Sequence, residues 1–138
     1  MAVKKKAEKK INSKQKGKRG ELEIAHFFQK YGYDARRSQQ YAGINNDADV
    51  VGVPGVHLEI KRTEKLHLQA AMEQSISEAR EDEKPVVMHK KNHTKWLVTM
   101  PLIEWMDLYQ AWEKELKRKD EANGTDKDTE DTPRPDGR

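Results

Sequence analysis

The stretch D-A-D-V-V-G-V-P-G-V-H-L-E-I-K-R, Asp47 to Arg62, limits what this chain can fold into more than any other. Val50, Val51 and Val53, then Val56, Leu58 and Ile60, are residues that favour a packed sheet, and Pro54-Gly55 between them marks a turn. Side chains alternate faces along a strand. In H-L-E-I-K-R, Leu58 and Ile60 therefore face one way, and His57, Glu59 and Lys61 the other. Where Asp49 points depends on the length of the loop. A two-residue loop at Pro54-Gly55 sets Asp49 opposite Ile60, on the apolar side. A three-residue loop, Val53 to Gly55, sets it opposite Glu59. A five-residue loop, Val53 to His57, sets it opposite Lys61. Two-residue hairpins want positive φ at their first central residue, which proline cannot adopt. An odd loop follows, with Asp49, Glu59 and Lys61 on one face. The three-residue version puts proline at a disfavoured turn position, and the five-residue version avoids that.

Opposed Cβ atoms across a strand pair lie about 4.5–5.5 Å apart. Two carboxylates at that spacing repel unless a positive charge sits between them. Mg²⁺ answers that need, binding oxygen ligands at about 2.0–2.1 Å while keeping waters and a substrate phosphate. One such water, in line with the phosphorus, is then a nucleophile. Lys61, two residues from Glu59, can orient that water or offset charge on the phosphate oxygens. The plain alternative is a solvent face carrying a Glu–Lys pair across the sheet.

Around this hairpin the pattern alternates helix and strand. Leu22, Ile24, Ala25, Phe27, Phe28 and Tyr31 form one face of a helix ending at Tyr31, with Gly32 as its C′ residue. Glu21 falls inside that apolar arc. A short strand over 33–38 and a turn-rich loop over 39–47 lead into the hairpin. A second helix, about 66–79, carries Leu68, Ala71, Met72, Ser75, Ile76 and Ala79 at helical spacing. Strands over 84–90 and 95–100 meet at the turn 91–94. Pro101 opens a third helix whose apolar face holds Leu102, Trp105, Met106, Tyr109 and Leu116. The strands around the second helix suit a parallel crossover. The fold class expected is α/β, in three layers about a mixed central sheet, with an α-β-β-β-α-β core.

The ends differ from this middle. Residues 1–19 hold nine Lys/Arg and one Glu, and residues 120–138 hold seven acids and three bases. Neither end can bury enough surface to offset ordering entropy. The expected division is a basic arm without order over 1–15, one domain over 16–117 and an acidic tail without order over 118–138. A basic arm attracts phosphate backbones, and solubilising the chain is its plain alternative role. No cysteine is present, which excludes disulfides, thiol catalysis and cysteine-bound zinc. No apolar run is long enough for a membrane span, and the basic N-terminus has no apolar segment of a secretory signal. A cytoplasmic protein is expected.

Asp49, a gap of nine, then Glu59-Ile60-Lys61 resembles the PD-(D/E)XK nuclease signature. Glu21 resembles the further acidic residue of many members. The likeness is greatest to small Holliday-junction resolvases of archaea and phages, through Lys16-Gly17, Arg19-Gly20-Glu21, Tyr31-Gly32-Tyr33, Arg36-Arg37-Ser38, Asp49 and Glu59-Ile60-Lys61. It spans roughly residues 16 to 105. Ala48 stands where the signature usually has proline, and Asp47 shares the parity of Asp49, so Asp49 is the preferred first carboxylate and Asp47 the alternative. The resemblance implies that Asp49, Glu59 and the Ile60 carbonyl bind Mg²⁺, with Mn²⁺ as a substitute. Glu21 would complete the site and Lys61 would be the catalytic lysine. It further implies a metal-dependent endonuclease making paired nicks in four-way DNA junctions, on branched or duplex DNA, as a homodimer with two sites.

Lys16, Lys18, Arg19, Arg36, Arg37 and Arg62 are the cations placed to meet DNA, and Ser38 loosely matches a polar residue that contacts substrate. Other features carry less. His89 and His93 are spaced i, i+4, but zinc logic needs a helix with an adjacent Glu, and this segment is a turn. Trp96, Trp105 and Trp112 read as core or interface residues. Gln69 and Gln74 read as surface or capping residues.

Overall fold

Seven residues, Val56–Arg62, form the strand on which the sheet is assembled. The structure is a computed structural model that describes residues 2–38 and 48–124, with side chains from Lys14 onward. Its elements are α1 (Ala2–Lys30), β1 (Arg36–Arg37), β2 (Val50–Val51), β3 (Val56–Arg62), α2 (Leu68–Glu78), β4 (Lys84–Lys90), β5 (Leu97–Thr99) and α3 (Leu102–Ala122). The sheet order is β1-β2-β3-β4-β5. β3 and β4 run parallel, joined through α2, and the other neighbours are antiparallel. This is the mixed α/β arrangement that the alternation of patterns predicts.

Register explains the two faces. Leu58 lies beside Val86, and Glu59 beside Val87. Leu58, Ile60, Val86 and Val50 pack with Ile24 and Ala25 of α1 and with Ala35. Val87 packs with Ala71 and Met72 of α2. The helices thus cover opposite faces, and the Glu59 side of β3 belongs to α2. A Leu, Ile or Val side chain buried this way contributes roughly 1.5–3 kcal/mol.

The end of α1 is closed by glycine. Gly32 has φ +93°; its N–H donates to the Gln29 carbonyl, and the Tyr33 N–H donates to that of Phe28. This pair of bonds is the Schellman closure, and Tyr33 packs edge-on against Phe28 beside it. α1 begins at Ala2, inside the segment 1–15 expected to lack order. Ala, Lys, Glu and Gln dominate those residues and favour helix. Extending a helix already anchored on the sheet costs no new nucleus.

The chain falls into two compact units, Met1–Glu104 and Trp105–Arg138. The helix continues past Lys117 to Ala122, and no residue of α3 is buried. Trp105 and Trp112 are therefore surface residues of this chain, 47% and 52% exposed, not core. Trp105 stacks on Tyr109 at a ring separation of 5.2 Å, and Trp112 meets Tyr109 at a tilt, 5.8 Å apart. Trp96 does pack against the core, and its Nε1–H donates to Glu23. Gln69 and Gln74 are surface residues bonded to Glu73 and Glu78. The loop 39–47 and the tail from 125 lie outside the described residues. No helix among the described residues is long and apolar enough to cross a membrane.

One backbone position is fixed by both conformation and space. Gly52 has φ +95°, and a Cβ there would sit 1.9 Å from the Asp34 carbonyl oxygen. Gly52→Ala should cost at least about 1–3 kcal/mol from strain alone, with the clash added. A fall in Tm of at least about 5–10 °C by circular dichroism is expected. An unchanged Tm would mean that the segment before β1, Asp34–Ala35, yields freely.

Candidate active site

The turn decides where the charges meet. Val50 pairs with Leu58, which counts out the three-residue loop Val53-Pro54-Gly55 and brings Asp49 level with Glu59. The objection to proline is met by its neighbours. Gly52 and Gly55 take the positive φ values, +95° and +81°, and Pro54 needs none.

Strand pairing alone does not aim Asp49, because β2 begins only at Val50. Three hydrogen bonds do. The Asp49 N–H donates to the Leu58 carbonyl at 2.9 Å, and its carbonyl accepts from the Ser38 N–H at 3.0 Å. Its carboxylate accepts from the Ile60 N–H at 2.9 Å. The side chain so held lies beside the Glu59 carboxyl and within the field of Lys61. Burial, then the charge of Glu59, raises the Asp49 pKa to about 6; the Ile60 N–H and Lys61 pull the other way. Two carboxyls that close are held by a shared proton or by a cation. Their all-oxygen donor set fits a hard divalent ion such as Mg²⁺.

Glu59 is 1% exposed and is held from its other side. His57 Nε2 lies 3.1 Å from Glu59 Oε1. The same nitrogen is 3.5 Å from Glu78 Oε2, and Nδ1 is 4.0 Å from Glu83 Oε1. The hydrogen bond to Glu59, opposed by burial and aided by the charges of Glu59, Glu83 and Glu78, raises the His57 pKa. Ser75, fully buried, fixes α2 above this point. Its hydroxyl accepts from the Val86 N–H at 3.1 Å and is 3.2 Å from the His57 carbonyl and 3.3 Å from that of Val86. Glu78, one helical turn on, is thereby set over His57.

The predicted residues are therefore partly gathered. Asp49, Glu59, Ile60 and Lys61 come together. Glu21 makes its ion pair with Arg37, at 2.7 Å. Arg37 lies in the row of Val50 and Leu58, on the α1 side of the sheet, away from the face of Glu59. Arg62 is paired with Glu23. Arg36 is exposed, 3.8 Å from Asp34. Lys18 and Arg19 are exposed on α1, Lys16 is half-buried, and Ser38 meets Asp49 through its backbone. Asp47 lies outside the described residues. His57, Ser75, Glu78 and Glu83 are the residues that sequence reasoning missed. The signal for His57 was its parity with Glu59 and Lys61, and for Glu78 its i+3 spacing from Ser75.

The family model described as "Phage putative PDDEXK endonuclease" matches residues 12–133. The chain belongs to this phage PDDEXK endonuclease family. The match contains every element of the described sheet and the whole Asp49–Lys61 hairpin. No curated protein matches the chain. Among solved structures, it is similar to Hjc, a Holliday junction resolvase from the archaeal hyperthermophile Archaeoglobus fulgidus. The identity is 22%, the TM-score is 0.49, and the match covers 61% of this chain and 76% of that one.

Proposed function

We propose that this phage-type PDDEXK endonuclease is a Mg²⁺-dependent enzyme that nicks four-way DNA junctions as a homodimer, with Asp49, Glu59 and Lys61 as its catalytic set. The observation that carries the metal-dependent part is the Asp49–Glu59 carboxyl pair with Lys61 beside it. Asp49, Glu59 and the Ile60 carbonyl would hold the cation, and Mn²⁺ would substitute, since the donors are all oxygen. When bound, the ion supplies positive charge at the scissile phosphate and acidifies water. Lys61 orients the attacking water and offsets charge on the phosphate oxygens. Ile60, through its N–H, and His57 keep the two carboxyls aimed before substrate arrives, which lowers the reorganisation needed in the transition state. Glu21, paired with Arg37 on the α1 side of the sheet, stays outside this set. Lys16, Lys18, Arg19 and Arg36 meet the backbone phosphates.

The junction substrate is supported by the run of resolvase-like motifs from Lys16 to Lys61 and by the symmetry of paired nicks, which suits two sites related by a two-fold axis. The test incubates the protein with an end-labelled four-way junction and a matched linear duplex, with Mg²⁺ and with EDTA. Paired, metal-dependent nicks at the branch point are expected. Equal cutting of the linear duplex would replace the junction reading with a general endonuclease. Binding without cutting under any metal would overturn the catalytic reading.

The dimer is expected to use the stripe of exposed Trp105, Trp112 and Leu116 with half-buried Tyr109, whose 4-3-4 spacing is that of a helix seam. Light scattering should give twice the chain mass for the wild type and the chain mass for Trp112→Glu. A wild-type monomer at micromolar concentration would remove this part of the proposal.

A further inference from the structure

We infer that His57, Glu59 and Glu78 form a second cation site, for a divalent transition ion such as Zn²⁺ or Co²⁺, which shares Glu59 with the Asp49 pair. One ligand atom from each of the three residues lies within 4.8 Å of the others. His57 Nε2 stands 3.1 Å from Glu59 Oε1 and 3.5 Å from Glu78 Oε2. Ligands about 2.0–2.2 Å from one ion are separated by roughly 3.0–3.5 Å in octahedral or tetrahedral geometry. The two spacings from His57 Nε2 fall in that range.

Three further observations point the same way. The first is charge. Glu59, Glu78 and Glu83 all make their ion pairs with the one imidazole of His57. Three carboxylates around a single imidazole leave a surplus of negative charge in a largely buried place, which a divalent ion would balance. The second is the orientation of the ring. Nε2 faces the two ligand carboxylates, while Nδ1 faces Glu83 at 4.0 Å. Histidines that bind metals commonly turn their other ring nitrogen towards a carboxylate, which fixes the tautomer. The third is access. His57 and Glu83 line a cavity of about 310 Å³ that is bounded also by Arg36, Gly52 and Arg80.

The ligand types separate this site from its neighbour. Asp49 and Glu59 offer oxygen alone, which suits Mg²⁺. An imidazole with two carboxylates suits Zn²⁺, Co²⁺ and Mn²⁺ and ranks them above Mg²⁺. The framework is rigid. Glu59 and His57 are fixed by β3, and Glu78 is set by the Ser75 bonds that tie α2 to β3 and β4.

The test is metal binding by the full chain, stripped of metal, with Co²⁺ followed by its visible absorption and Zn²⁺ by calorimetry. One Co²⁺ per chain is expected, with ligand-field bands shifted from those of the aqueous ion. Glu78→Gln, at a side chain 23% exposed, should keep the fold and weaken binding at least about tenfold. Asp49→Asn should keep it. Equal affinity in Glu78→Gln and wild type would overturn the site. So would loss in Asp49→Asn with retention in Glu78→Gln, which would put the ion at the Asp49 pair, or no saturable binding below millimolar Co²⁺ and Zn²⁺. Cleavage is not the readout, so this inference and the nuclease reading can fail separately.

Discussion

Asp49→Asn and Glu59→Gln should each lower Mg²⁺-dependent cleavage of the junction by at least about 1,000-fold, which is ~4 kcal/mol of barrier. Each removes one of two adjacent carboxylates that share one task. Either loss leaves the other carboxyl beside a neutral amide, with too little negative charge to hold a divalent ion against water. Lys61→Met should lose activity to a similar degree with less change in metal affinity, because Lys61 acts on the substrate side of the pair. The double variant Asp49→Asn/Glu59→Gln should be little worse than either alone, since residues that work as a unit lose function together. Junction binding, which the proposal assigns to Lys18, Arg19 and their neighbours, should stay within about threefold of wild type by gel shift in EDTA. If Asp49→Asn keeps full cleavage while Asp47→Asn loses it, the first carboxylate is Asp47. If both variants keep it, the catalytic centre lies elsewhere.

Much of this arrangement was legible from local rules. Strand alternation placed Glu59 and Lys61 on one face of β3 and Leu58 and Ile60 on the other, and both assignments follow from short-range geometry. Gly32 announced the end of α1 because only a residue tolerant of positive φ closes a helix that way. The proline in Pro54-Gly55 excluded a two-residue loop but left three and five residues open. The pairing of Val50 with Leu58 settles it as three, and Gly52 beside that loop approaches Asp34 closely, a contact from a distant part of the chain. The aim of Asp49 likewise rests on Ser38 and Ile60, which sequence spacing does not connect.

Other partners arise only when elements pack. His57 meets Glu78 and Glu83 across 21 and 26 positions (78 − 57 and 83 − 57). Glu21 lies in the apolar arc of α1, but the structure gives it Arg37 as a partner. That ion pair, part-buried, neutralises two residues that the sequence presents as free site and DNA contacts. The exposed face of α3 is the clearest departure from pattern. Helical periodicity says which side of a helix is apolar, but not whether the same chain covers it.

Without metal, Asp49→Asn should be more stable than wild type at pH 7.5, by at most about 3 kcal/mol. The sign follows from the raised pKa. Asp49 titrates near 3.8 when unfolded and near 6 in the fold, so the folded state holds its proton more tightly. Below about pH 4 both states are protonated and Asp49 adds no penalty. Between about 4 and 6 the unfolded chain releases its proton first, and stability falls. Above about 6 the penalty is complete, at 1.36 kcal/mol per pKa unit. Asparagine is never charged, yet its carbonyl can still accept from the Ile60 N–H and its amide can donate to Glu59. In EDTA, the variant should therefore melt up to about 10–20 °C above wild type at pH 7.5, and at the same temperature as wild type at about pH 3. Mg²⁺ should reverse the order, since it stabilises only the fold that can bind it. A Tm for Asp49→Asn equal to or below wild type at pH 7.5 in EDTA would show that the pair carries no repulsion. The case for a cation between Asp49 and Glu59 would then lose its physical basis.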